Sequence, residues 1–156
     1  MFLSQDRLYF IAATLVLPLL LSCSGEKSVT VNLNKGESSS TGQEENDKAL
    51  AEHTEKIRLN PTSSEAYNSR GLAHAGKRQY DKAIADYTEA IRLDPKNALA
   101  FYNRAIAYIE KGEHDKAITD CDEAIRLNPE LASAYIYRAM AYGQKHDYDK
   151  AIDDCN

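Results

Sequence analysis

Apolar positions along this chain fall into three regimes. Leu8 to Leu21 (LYFIAATLVLPLLL) is an unbroken apolar run without a charge. Ser24 to Asn46 has few large apolar residues and is rich in Ser, Gly, Asn and Glu. From Asp47 onward apolar and polar positions alternate with a helical period. Asp81–Leu93 places Ala83, Ile84, Tyr87, Ala90 and Ile91 on one stripe, the i, i+3/i+4, i+7/i+8 pattern of an amphipathic helix. Ser64–Lys77 carries Ala66, Tyr67, Gly71, Leu72, Ala73 and Ala75 with no breaker before Gly76, and predicts a second helix. Asp81 sits in a first turn, where a carboxylate favours the helix dipole. Asp94-Pro95 and Asn128-Pro129 end their helices, because a residue before proline is pushed out of the α region.

The helical part repeats itself. Asp-Lys-Ala recurs at 47, 81, 115 and 149, Ile-Arg-Leu at 57, 91 and 125, and Pro at 61, 95 and 129. A fixed period of this size means a solenoid of stacked units. The columns are specific. Tyr67, Phe101 and Tyr135 form a large column; Gly71, Ala105 and Ala139 a small one; His74, Tyr108 and Tyr142 the next. Ala83, Ala117 and Ala151 follow, then Tyr87, Cys121 and Cys155, then Ala90 and Ala124. This pattern resembles the tetratricopeptide repeat. The resemblance implies an all-α fold, a short right-handed superhelical solenoid of helix-turn-helix units. Full units are expected at 64–97 and 98–131, with an incomplete one at 132–156. Residues 47–63 match a second helix without a first, with His53 and Lys56 replacing an aromatic and a small residue. They read as a degenerate half-repeat capping the array. The third unit stops early in its second helix, which reads as an array cut short or as last turns that lean on the second unit.

The apolar run is shorter than the roughly 20 residues a spanning helix needs. It follows Arg7 and is interrupted by Pro18, the layout of a signal peptide over 1–22. Leu20-Leu21-Ser22-Cys23 at its end resembles the lipobox of bacterial lipoproteins. That resemblance implies cleavage before Cys23, diacylglycerol on its thiol and acylation of its new amino terminus. An ordinary signal peptide with a free Cys23 and an uncleaved anchor are the alternatives. Ser24 stands where inner-membrane members carry Asp, which leans toward the outer membrane. Residues 23–46 are expected to form a flexible tether, too poor in apolar surface to offset their ordering entropy, with a reach of roughly 25 Å. The alternation in Ser28–Leu33 admits a short strand.

Charge and composition narrow the chemistry. The chain has 24 acidic and 19 basic side chains, net −5, without the basic stripe that nucleic acid requires. The four His and three Cys lack zinc spacing, and no HExxH, GxSxG or Walker pattern occurs. No enzyme, metal or cofactor is expected. His74, His114 and His146 read as packing or surface residues. Arg70, Arg104 and Arg138 form a column, and Asp86, Asp120 and Asp154 follow each sixteen residues later. The arginines could form a basic ladder for an acidic ligand. Their co-occurrence with an aspartate in every unit favours an ion pair joining the two helices instead. Cys121 and Cys155 occupy equivalent positions in neighbouring units, about one helix diameter apart, which favours buried thiols over a disulfide.

The tetratricopeptide resemblance also implies a concave groove lined by first helices. Its lining here is Asn68, Ser69 and Leu72; Leu99, Tyr102, Asn103, Ile106 and Ile109; and Ser133, Ile136, Tyr137 and Met140. Asn103 matches one position of the carboxylate clamp of chaperone-binding members, but Leu72, Ser133 and Tyr137 stand where its Asn, Lys and Arg belong. The expected function is a membrane-anchored interaction module binding a peptide or protein segment, with envelope proteins as partners. The expected place is the cell envelope, on the outer membrane facing the periplasm. A self-associating structural envelope protein, a homo-oligomer, is the alternative.

Overall fold

The computed structural model describes residues 40–154. The apolar run, Cys23, the Ser28–Leu33 segment and Cys155 lie outside the described residues. Within them the chain forms seven helices: α1 Ser40–Leu59, α2 Ser64–Gly76, α3 Tyr80–Leu93, α4 Ala98–Glu110, α5 His114–Leu127, α6 Ala132–Gln144 and α7 Tyr148–Asp153. They pack sequentially as helix-turn-helix repeats, α2–α3, α4–α5 and α6–α7, with α1 laid on α2 in the place of a preceding second helix.

Local sequence accounts for the boundaries. Ser63 caps α2 by accepting from the Ala66 amide at 3.2 Å, and Asn97 does the same for α4 through Ala100 at 3.1 Å. Asp94 and Asn128, each before a proline, leave the helical region and close α3 and α5. Arg78, Gly112 and His146 occupy equivalent turn positions, all at positive φ (58°, 76° and 63°). Only the glycine adopts that conformation without steric cost.

One expected boundary is wrong. The sequence places the end of the tether at Asn46, but α1 already starts at Ser40. The added turns have no apolar pattern to announce them. They extend a helix already anchored downstream, and propagation costs far less than nucleation. Asn46 lies so close to Gly76 that a Cβ there would meet its side chain at 2.7 Å.

The core is built largely of alanine. Ala83, Ala117, Ala90 and Ala124 on the second helices are fully buried, as are Ala100, Ala105, Ala134 and Ala141 on the first. Small side chains let helix backbones approach, and fewer large ones fill what remains. Tyr87 packs with Ala83 and Ala107, joining the first two full units. Cys121 packs with Ala105, Ala117, Ile118 and Ala141, joining the second unit to the third. Neighbouring first helices touch directly, α2 with α4 and α4 with α6, whereas α3 and α5 do not. The stack therefore curves with its first helices inside.

Candidate binding groove

The inner face is a set of three parallel stripes. Side chains three, four and seven apart on a helix share a face, which aligns Asn68 and Leu72 on α2, Leu99, Tyr102 and Ile106 on α4, and Ile136 and Met140 on α6. Leu72, Leu99, Ile136 and Met140 are 48%, 52%, 45% and 42% exposed, so most of the exposed large apolar side chains lie on this one face. Scattered surface hydrophobics are ordinary; a contiguous row across neighbouring helices marks an interaction site.

The predicted lining residues divide into three groups. The four exposed ones offer apolar contact. Asn68, Ser69, Tyr102, Asn103, Ile106 and Ser133 are half-buried between the helices. Asn103 Nδ2 donates to Asn68 Oδ1 at 3.1 Å, an amide bridge between α2 and α4. Tyr102 and Tyr137 meet edge to face with centroids 5.5 Å apart, an aromatic bridge between α4 and α6. Ile109 and Tyr137 turn partly inward and pack on the Ala105–Cys121 cluster. Burial first, then Tyr102 and Glu110, oppose ionisation of the Tyr137 phenol and raise its pKa. These two residues set the floor of the groove more than its contact surface.

The arginine column does not face a ligand. Arg70 holds Asp86 through two hydrogen bonds of 2.8 and 2.6 Å. Arg104 holds Asp120 at 2.7 and 2.8 Å. Arg138 holds Asp154, with its Nε at 2.8 Å. Asp86 and Asp120 are each only 5% exposed, so the fork of each guanidinium satisfies a carboxylate removed from water. Each pair raises the pKa of its arginine, chiefly through that hydrogen bond. Each arginine also stacks over the aromatic three residues earlier, Tyr67, Phe101 or Tyr135, at 5.5 to 5.7 Å. Arg104 reaches Thr88 and Arg138 reaches Asp122, both in the preceding unit. The pair expected within a unit is thus also a link between units.

Two sets of residues escaped the sequence reading. Lys77, Lys111 and Lys145, at the ends of the first helices, pair with Asp47 inside α1 and with Asp81 and Asp115 in the first turns of α3 and α5. Their common separation of 30 residues was the available signal. Glu65 and Glu110 extend the stripes of α2 and α4 at opposite ends. Continuing the i, i+3, i+7 count from Leu72 back to Glu65, and from Ile106 on to Glu110, finds them. Among the described residues no group of His, Cys, Asp and Glu is placed to hold a metal ion, and no helix is long and apolar enough to cross a membrane.

A family profile described as "Tetratricopeptide repeat" matches residues 42–98, 68–132 and 102–156. No curated protein matches the chain. Among solved structures, MamA is similar at 31% identity and a TM-score of 0.68 over 70% of this chain and 64% of that one. The Arabidopsis OM64 TPR domain is similar at 34% identity, TM-score 0.58, over 58% of this chain and 75% of that one. The first TPR of Spaghetti (RPAP3) bound to the HSP90 peptide SRMEEVD is similar at 30% identity, TM-score 0.58, over 58% and 72%. This chain spans less than two thirds of the MamA chain it resembles.

Proposed function

The chain belongs to the tetratricopeptide repeat family, and from that premise we propose that it is an adaptor, holding a segment of a partner protein in the groove of its first helices. The observation that carries this is the row of exposed apolar side chains, Leu72, Leu99, Ile136 and Met140, on one face of three neighbouring helices. Such a surface suits an extended or helical peptide, whose side chains enter between helices. The similar Spaghetti domains, solved with a peptide bound, support this use of the fold. The output is affinity rather than a reaction. The direct test is Leu72→Ser/Met140→Ser in the full chain. Both side chains are nearly half exposed, so melting should barely move while capture of partners from envelope extract is lost. Unchanged capture with an unchanged melting temperature would reject the groove.

The module is further proposed to sit at a membrane, through lipid on Cys23, in the cell envelope and on the outer membrane facing the periplasm. The apolar run and the Leu20–Cys23 resemblance to a lipobox support this. Each buried methylene of an acyl chain contributes about 0.8 kcal/mol, so several chains hold firmly. Cys23→Ala should release the protein from membranes; a variant still sedimenting with them refutes the anchor. A second reading, self-association as a structural envelope protein, draws on α7, where Tyr148 and Ile152 are each 59% exposed. Concentration-dependent sedimentation abolished by Ile152→Ser would favour it over the adaptor.

A further inference from the structure

The first helices carry few charges, and every arginine among them is already used. Their arginines, Arg70, Arg104 and Arg138, are closed by aspartates of the second helices, and α2, α4 and α6 contain no lysine. The remaining charges on these helices are Glu65 and Glu110. Neither has an ionic partner among the described residues. Glu110 accepts only from the Tyr80 hydroxyl, at 3.0 Å, and its charge is felt at Tyr137 in the groove. Glu65 is exposed, in the first turn of α2. The first helices therefore offer apolar rows and two carboxylates, one at the amino end of α2 and the other at the carboxyl end of α4, where Arg78 also interacts with the Tyr80 hydroxyl.

We propose that the groove takes a partner segment whose apolar anchors are flanked by Lys or Arg, opposite in charge to an acidic peptide. This rests on the groove being the binding surface. Carboxylates beside apolar surface attract a cation more strongly than in open water and repel an acidic ligand, so they act on choice of partner as much as on affinity. The two carboxylates are separated along the helix direction by about 17 Å, eleven residues of helical rise. An extended segment covers that distance in about five residues. A second copy of the chain is a poor occupant, since each carries −5. Residues 27–35 of the chain hold Lys27 and Lys35, but Glu26 and Glu37 lie within two residues of them and cancel the charge.

The test is selection of a random twelve-residue peptide library by the full chain in detergent, followed by a salt titration of the best binder. The expected set is enriched in Lys or Arg on both sides of apolar residues, at about five-residue spacing. Its binder should weaken roughly tenfold, and lose most of its salt dependence, in Glu65→Gln/Glu110→Gln. The off-groove control Glu44→Gln/Glu130→Gln should leave both unchanged. Enrichment of Asp or Glu, or equal effects of the two double variants, overturns the charge assignment. If binders then still fail on Leu72→Ser/Met140→Ser, the groove itself stands. If they bind that variant fully, or no peptides are enriched, the groove falls with the charge. Stronger selection after residues 27–35 are replaced by Gly-Ser, or binding that falls as the chain dimerises, gives the site to the chain's own segment or to a second copy and overturns a partner.

Discussion

A Cβ on Gly71 would stand 2.6 Å from the Tyr87 ring. In the next unit the equivalent pair is Ala105 and Cys121, a larger residue facing a smaller one. The bulky Tyr87 ring leaves no room for a Cβ opposite it, whereas the smaller Cys121 admits one, as close packing demands. Gly71→Ala should therefore destabilise the fold by about 1–3 kcal/mol through overpacking, despite alanine's better helix propensity. Tyr87→Cys removes the clash at the cost of a cavity, so in urea unfolding Gly71→Ala/Tyr87→Cys should be less destabilised than the sum of the two single variants. This complementarity was legible in the sequence as two columns, but only contact shows that they face each other. Cys121 illustrates a second residue-scale consequence. Burial, then the neighbouring Asp120, pushes its thiol up to about 12. At pH 8 it stays protonated in the folded protein, so peptide-resolved alkylation should spare it until denaturant is added. The sign for stability follows: between about 9 and 12 only the unfolded thiol ionises, so this group lowers stability as pH rises through that window.

At the scale of elements, the Arg–Asp pairs lock each first helix to its second. Asp120 is buried, and removing Arg104 alone leaves a charge without water or a partner. Arg104→Met should cost about 3–5 kcal/mol, whereas Arg104→Met/Asp120→Leu should recover most of it, measured by chemical unfolding. Co-occurrence at sixteen-residue spacing made the pairing readable. The reach of Arg104 to Thr88 and of Arg138 to Asp122 was not, because it crosses between units of different composition. The start of α1 at Ser40 was missed for a related reason. STGQEEN lacks an apolar stripe, and its helicity comes from the anchored helix that it extends. The last element is the weakest by the same logic. α7 has six residues, no buried side chain and two exposed large apolar ones. Its amides should exchange fastest of the helices and those of α4 and α5 slowest; equal protection of α7 would contradict this order.

At the scale of the whole molecule, the repeat period and the column chemistry made the helical stack readable from sequence. The groove was partly readable. Carrying the family's lining over placed Leu72, Leu99, Ile136 and Met140 on the inner face, where they are exposed. It also included Ile109 and Tyr137, which partly join the core, because a helix in a curved stack divides each stripe between ligand side and floor. It omitted Glu65 and Glu110, the carboxylates of the first helices that have no ionic partner among the described residues. The proposed function depends on ligand contacting the first helices. The most direct measurement is a methyl-resonance titration of the full chain with a selected peptide. The methyls of Leu72, Ile106, Ile136 and Met140 should shift, while those of Ile91 and Ile125 on the second helices stay in place. Shifts confined to the second helices, or to α7, would contradict the account.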